Sequence, residues 1–158
     1  MKKNQSINLD EQPGHLIRRM HQISVGIFMA ETESLELTPI QFAALQTVNN
    51  NPGIDQKTLA RVIALDSSTT GGVIDRLQSR EMIERRASDH DRRVHLLYLT
   101  PLGESKLKDA MPIMLKAQER ILSPLSKDER QTFMNLLNLL VNKNNEFSRA
   151  PSNTKGKS

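Results

Sequence analysis

The chain has 158 residues, room for one ordinary domain or a compact domain with an appended dimer-forming part. Hydrophobic residues make up 37% and aromatics 3%, with one Tyr and no Trp, so the core is built from Leu, Ile, Val and Met and is of the kind completed by a second copy. The absence of Cys excludes disulfides, thiolate chemistry and Cys-based zinc sites. No apolar run reaches the ~18 residues that a bilayer span needs. The opening MKKNQSINLDEQPG is polar and lacks the apolar stretch of a secretory signal, which points to the cytoplasm. The net charge of +4 does not identify a nucleic-acid binder. From Asp55 to Arg93 there are eight Lys or Arg against seven Asp or Glu, and much of the excess sits in Lys143, Arg149, Lys155 and Lys157. The placement of the charges has to carry that argument.

Pro13-Gly14 punctuates the first element. Leu16, Met20, Ile23 and Ile27 then recur at three- and four-residue steps, one face of a helix. Glu31 to Leu37 reads as a turn or fraying end. Thr38-Pro39 supplies an N-cap and a first-turn proline for a helix with Phe42, Leu45 and Val48 inward. The run Asn49-Asn50-Asn51-Pro52-Gly53 is a loop. Asp55 caps a short helix burying Leu59, Val62 and Ile63. Asp66 caps another burying Val73, Ile74 and Leu77. Ile83 to Ser88 and His95 to Thr100 are strand-like, joined by the polar tip DHDRRV.

Pro101-Leu102-Gly103-Glu104 opens a long helix that Pro112 is expected to kink. Ser126-Lys127-Asp128-Glu129 has the pattern of a capping box. The helix it starts carries Phe133, Leu136, Leu137, Leu140 and Val141 on one stripe, widened by Met134 and Leu139. That width exceeds what a single-sided surface helix needs and implies a second packing surface on another subunit. From Ser148 the composition is polar and small, as in a disordered tail.

The most informative stretch is Asp55 to Thr100. The helix capped by Asp66 is expected to expose Ser67, Ser68, Thr69 and Thr70, short side chains that both donate and accept hydrogen bonds. Gly71 and Gly72 follow, each costing about 1 kcal/mol relative to Ala in a helix interior. Removing side chains there lets another surface approach the backbone, as insertion into a DNA major groove requires. The competing reading is that the glycines relieve helix-helix crowding. Arg76 lies one turn on, within reach of a phosphate. Asp91, Arg92 and Arg93 occupy the hairpin tip, where an Arg can enter a minor groove and an Asp can hold it extended.

The run LTPIQFAALQTV followed by LARVIALDSSTTGGVIDRLQSREMIERRASDHDRRVHLLYLTPLGE resembles a MarR-type winged helix-turn-helix regulator. The resemblance extends over about Gly14 to Asn144, and its most specific part is the recognition helix, the D-R-R wing and the L-x-LTPLG that follows. It implies a mainly α fold with a small β-hairpin wing, a winged helix-turn-helix lobe plus a helical dimerisation domain, in a homodimer. The implied organisation is a flexible arm at 1–13, dimerisation segments at 14–36 and 101–147, the DNA-binding lobe at 37–100 and a disordered tail at 148–158. It further implies that Ser67 to Thr70 face bases, Arg76 faces phosphate, and Arg93 reads the minor groove, oriented by Asp91 and assisted by Arg92. Half-sites of a palindromic operator would lie one helical turn apart, roughly 34 Å.

Many members of the family are repressors released by a phenolic or aromatic carboxylate bound between the dimerisation helices and the lobe. On this resemblance the effector residues are His15, Arg18, Arg19 and His21 near the start of the first helix, with Phe42 and Met111 as apolar walls. An Arg there could pair with a carboxylate bidentately. The peroxide-sensing mechanism is excluded because it needs a Cys. His15, His21, His90 and His95 form no obvious metal set, and no cofactor is called for. An enzyme is disfavoured: there is no Ser-His-Asp logic, and Gly71-Gly72 lacks the spacing of a phosphate or dinucleotide loop. A ligand-independent or activating regulator, and a winged-helix module that binds protein, are the alternatives.

Overall fold

A computed structural model of the chain describes residues 8–91, 93–148 and 151. Arg92, residues 1–7 of the expected arm, and most of the expected tail lie outside the described residues. Helix α1 (Pro13–Glu31) leads through a 3-10 turn to α2 (Pro39–Asn50). A two-residue strand β1 (Ile54–Asp55) precedes α3 (Gln56–Val62) and α4 (Ser67–Ser79). The hairpin β2 (Ile83–Ala87) and β3 (His95–Leu99) is followed by α5 (Pro101–Leu122) and α6 (Lys127–Lys143). The fold is mainly helical with a small antiparallel sheet in the order β1-β3-β2.

Local chemistry sets most of these boundaries. Thr38 and Gln41 form a reciprocal capping box on α2: the Thr38 hydroxyl accepts from the Gln41 amide, and the Gln41 side chain accepts from the Thr38 amide. Ser126 and Glu129 do the same for α6. Asp55 and Asp66 cap α3 and α4 through the amides of Thr58 and Thr69. Between α3 and α4 the chain reverses at Ala64, whose φ of 56° puts a non-glycine residue in the left-handed region. The Leu65 amide then donates back to Ala60, closing the turn.

The core lies between α2, α3, α4, the sheet and the first half of α5. Leu45, Leu59, Ile74 and Leu77 meet Ile83 and Leu97 from the inward face of the wing, all of them fully buried. Leu107 and Ala110 of α5 close the far side. The junction of β3 and α5 is tight. The Thr100 amide donates to the Met82 carbonyl, and the Thr100 hydroxyl caps Gly103. A Cβ at Gly103 would lie 2.0 Å from the Met82 oxygen, so the G of LTPLG answers to backbone crowding. Helix α5 runs as one element through Pro112.

One expectation of burial is corrected. Val62 is exposed and Ile63 only half-buried: α3 ends at Val62 and both side chains line a cavity, with Ile63 also packed against the edge of the core. On α1, Leu16 and Ile23 are exposed and Phe28 is the buried residue, so the apolar face has little cover from its own chain. Residues 9–11 of the segment expected to be a flexible arm form a 3-10 turn capped by Asn8.

Candidate nucleic-acid interface and adjoining cavity

The start of α4 is organised by one carboxylate. Asp66 accepts from the Thr69 amide at 2.9 Å and from the Thr69 hydroxyl at 2.7 Å, and these two donors hold its pKa below the ordinary value. The cap remains ionised and fixes the first turn. Ser67 and Ser68 are exposed, and their hydroxyls have no partner among the described residues. Thr69 is exposed with its hydroxyl committed to the cap. Thr70 departs from expectation: it is fully buried and its hydroxyl donates to the Asp66 carbonyl at 2.8 Å. The helical period turns position 70 toward the core beside Val73 and Ile74, so Thr70 cannot face a base in this arrangement.

The glycine pair divides in the same way. A Cβ at Gly71 would stand 3.1 Å from the Gln56 side-chain nitrogen, which donates to the Ser67 carbonyl across the α3–α4 turn. A methyl group at Gly71 would therefore press on the Gln56 side chain at the α3–α4 contact, in the sense of the crowding reading. Gly72 is exposed with nothing within 4 Å of the missing Cβ, so its face is open to an incoming surface. Arg76 is exposed on α4 as well.

At the wing, Asp91 accepts the Arg93 amide at 2.9 Å, an Asx turn, and its carboxylate lies 3.6 Å from the Arg93 guanidinium. The Arg93 side chain is 94% exposed, so the tip projects a cation with its root fixed. Arg85, a residue that periodicity alone did not single out, ties wing to helix. From β2 it pairs with Asp75 at 2.5 Å and bonds Gln78, both on α4. The signal was present as an Arg on the strand and an Asp on the helix, but sequence gives no register between them.

Behind this lobe lies a cavity of about 570 Å³. His21 and Phe28 reach it from α1, Phe42 and Gln46 from α2, Val62 and Ile63 from the end of α3, and Met114, Gln118 and Ile121 from α5. Of the expected effector residues, His21 and Phe42 are on its wall. His15, Arg18 and Arg19 are not: they turn to one another and to Asp10 and Gln22 at the outer end of α1. Met111 packs against the core one turn short of the cavity, and Met114 takes the place expected of it. Gln46 and Gln118 were missed. Their signal is a polar residue inside an apolar helical series, Phe42-Gln46 at i, i+4 and Met114-Gln118-Ile121 at i, i+4, i+7. Among the described residues, no group of three or more His, Asp or Glu could hold a metal ion.

A helix, a sharp turn, a second helix with an open polar start and a two-stranded wing define a winged helix-turn-helix protein. The MarR family model matches residues 37–95, and the chain belongs to that family. The HTH-type transcriptional repressor NicR of Pseudomonas putida is 29% identical over 138 residues, 87% of each chain. BpsR of Bordetella bronchiseptica, whose DNA binding is regulated by 6-hydroxynicotinic acid, is 29% identical. Its structure superposes with a TM-score of 0.81 over 85% of this chain and 96% of its own. The repressor CouR, solved on a 23-mer DNA duplex, is 26% identical with a TM-score of 0.80 over 86% of this chain and 99% of its own. The relatives are transcriptional regulators, a non-enzymatic family. No helix among the described residues is long and apolar enough to cross a membrane.

Proposed function

We propose that the protein is a dimeric repressor that binds a palindromic operator and is released by a small aromatic acid in the cavity behind the lobe. The observation that carries this reading is the 94% exposed Arg93, rooted by Asp91, beside a capped helix whose Ser67 and Ser68 hydroxyls are unspent. In the complex Ser67, Ser68 and Thr69 meet base edges or nearby phosphates, Arg76 takes a phosphate, and Arg93 enters the minor groove with Arg92 beside it. Segments 14–36 and 101–147 form the dimerisation part. Supporting this, Phe133, Leu136, Leu137, Leu140 and Val141 of α6 and Leu16, Ile17 and Ile23 of α1 are all exposed in the single chain. A surface of that kind marks an interface.

The cavity is walled by α1 and α5 on one side and by α2 and α3 on the other. A ligand there that prefers one angle between lobe and dimerisation helices shifts the population away from the spacing that fits DNA. BpsR supplies the chemical precedent of an aromatic acid as regulator. Gel-shift titration at low salt with the DNA upstream of its own gene tests the reading. Wild type should retard that DNA, and Arg93→Ala should weaken it by about tenfold or more with a shallower salt dependence. Equal retardation by wild type, Arg93→Ala and Ser68→Ala would overturn the assigned interface.

A further inference from the structure

We infer that Arg85 is a positioning residue for DNA binding: from β2 it braces the wing against α4 and so aims Arg93 at the minor groove. The inference rests on the DNA-binding reading above and names the residue on which the reach of the wing depends. The sheet order β1-β3-β2 leaves β2 at an edge, with no strand on its outer side. Its inward positions run from buried Ile83 through half-buried Arg85 to exposed Ala87. Arg85 is thus the last inward side chain of the strand that the rest of the lobe covers.

The Arg85 guanidinium makes two contacts with α4. One terminal nitrogen pairs with the Asp75 carboxylate at 2.5 Å, and the other donates to the Gln78 side-chain oxygen. Asp75 and Gln78 are three residues apart, on one face of the helix. Arg85 also lines a cleft of about 200 Å³ together with Arg93, Lys57 and His95, where charge alone would make it a phosphate ligand. Its charge is matched by Asp75 instead, and both terminal nitrogens already have an acceptor.

The hairpin carries this brace to its tip. Arg85 pairs with Leu97 and Ala87 with His95, and the Ser88 amide donates to the carbonyl of Val94, the neighbour of Arg93. Leu97 to Val94 is about 10 Å of extended chain. A tilt of about 20° at the brace moves a tip that far away by about 3.5 Å, over half the roughly 6 Å width of a minor groove. Without the brace, Arg93 has to be ordered as it binds, which lowers affinity.

Fluorescence anisotropy with the DNA upstream of its own gene tests this on four full-length proteins: wild type, Asp75→Ala, Arg93→Ala and the double variant. Asp75→Ala removes a negative charge beside the DNA, so charge alone predicts tighter binding. The brace predicts the opposite sign, a loss of about fivefold, shrinking to less than about twofold when Arg93 is already Ala. Arg85→Gln should show the same dependence on Arg93, and it stands in if Asp75→Ala folds poorly. Binding by Asp75→Ala as tight as wild type or tighter, or losses of equal size with and without Arg93, overturns the brace and leaves the DNA-binding reading standing. Failure of wild type to bind, or equal binding by wild type and Arg93→Ala, overturns that reading and the brace with it.

Discussion

The two ends of the molecule use apolar residues in opposite ways. In the lobe, α4 and the wing bury Ile74, Leu77, Ile83 and Leu97 within one chain and leave a polar, capped outer face. In α6 the whole stripe from Phe133 to Val141 is exposed, although its cap is as well formed as any in the lobe. Local signals are complete at both ends, and only burial differs. Helix α6 is encoded as a helix by its own sequence, and the proposed dimer is what would bury its apolar stripe.

The largest effect should come from the uncovered end. Leu137→Asp combined with Leu140→Asp places two charges on the α6 stripe, and burying an unpaired carboxylate costs several kcal/mol. The variant is expected to sediment as a monomer at concentrations where wild type is a dimer, with the lobe still folded by circular dichroism. DNA binding should fall with it, because two half-sites no longer act from one tethered particle. A wild-type monomer, or a variant that stays dimeric, would break the contrast between the two ends.

The next effect belongs to the covered end. Gly103→Ala puts a methyl group 2.0 Å from the Met82 carbonyl oxygen, a contact that only backbone movement relieves. Overpacking of this severity costs about 3 kcal/mol. Chemical denaturation of the protein should register it, while Gly72→Ala, facing open space, should leave stability unchanged or slightly raised. If both glycines tolerated Ala equally, the close seat of α5 on the wing would be wrong.

These features differ in how far they could be read in advance. The caps at Thr38, Asp55, Asp66 and Ser126, the helix starts at Thr38-Pro39 and Pro101, the hairpin and the α6 stripe follow from residues a few places apart, and all are legible. The turn at Ala64 was not, because nothing local marks an alanine for the left-handed region. Thr70 was misjudged because its hydroxyl looks like that of Ser68, yet the helical period buries it. The residues expected to bind an effector are scattered for a related reason. Arg18 and Arg19 are conspicuous in sequence but meet nearby partners, whereas Gln46 and Gln118 become a wall only when α2 and α5 are brought together. What depends on register between distant helices is hidden in sequence, whereas helix caps, whose partners lie three residues apart, are plain.

The smallest expected effect sharpens the comparison through acid. Glu31, at the end of α1, accepts hydrogen bonds from Lys116 and Arg120 of α5 at 2.9 and 2.8 Å, and these hold its pKa below the ordinary 4.5. In the lobe, Asp66 is lowered from 3.8 by the Thr69 amide and hydroxyl. Partial burial raises the pKa of Asp55, but the Thr58 hydroxyl and amide more than offset it, so the net shift is also downward. A carboxylate whose folded pKa is depressed stabilises the fold at pH values above its ordinary pKa. That stabilisation is lost as pH falls through the lowered, folded value. Melting temperature should therefore be flat from about pH 7 to about pH 5 and decline below that. Glu31→Gln should start lower at neutral pH and decline less steeply, because the α1–α5 tie no longer titrates and only the caps remain. The same acid slope in wild type and Glu31→Gln would mean that the helix caps of Asp55, Asp66 and Glu129 carry the pH response and that the α1–α5 ion pairs contribute nothing.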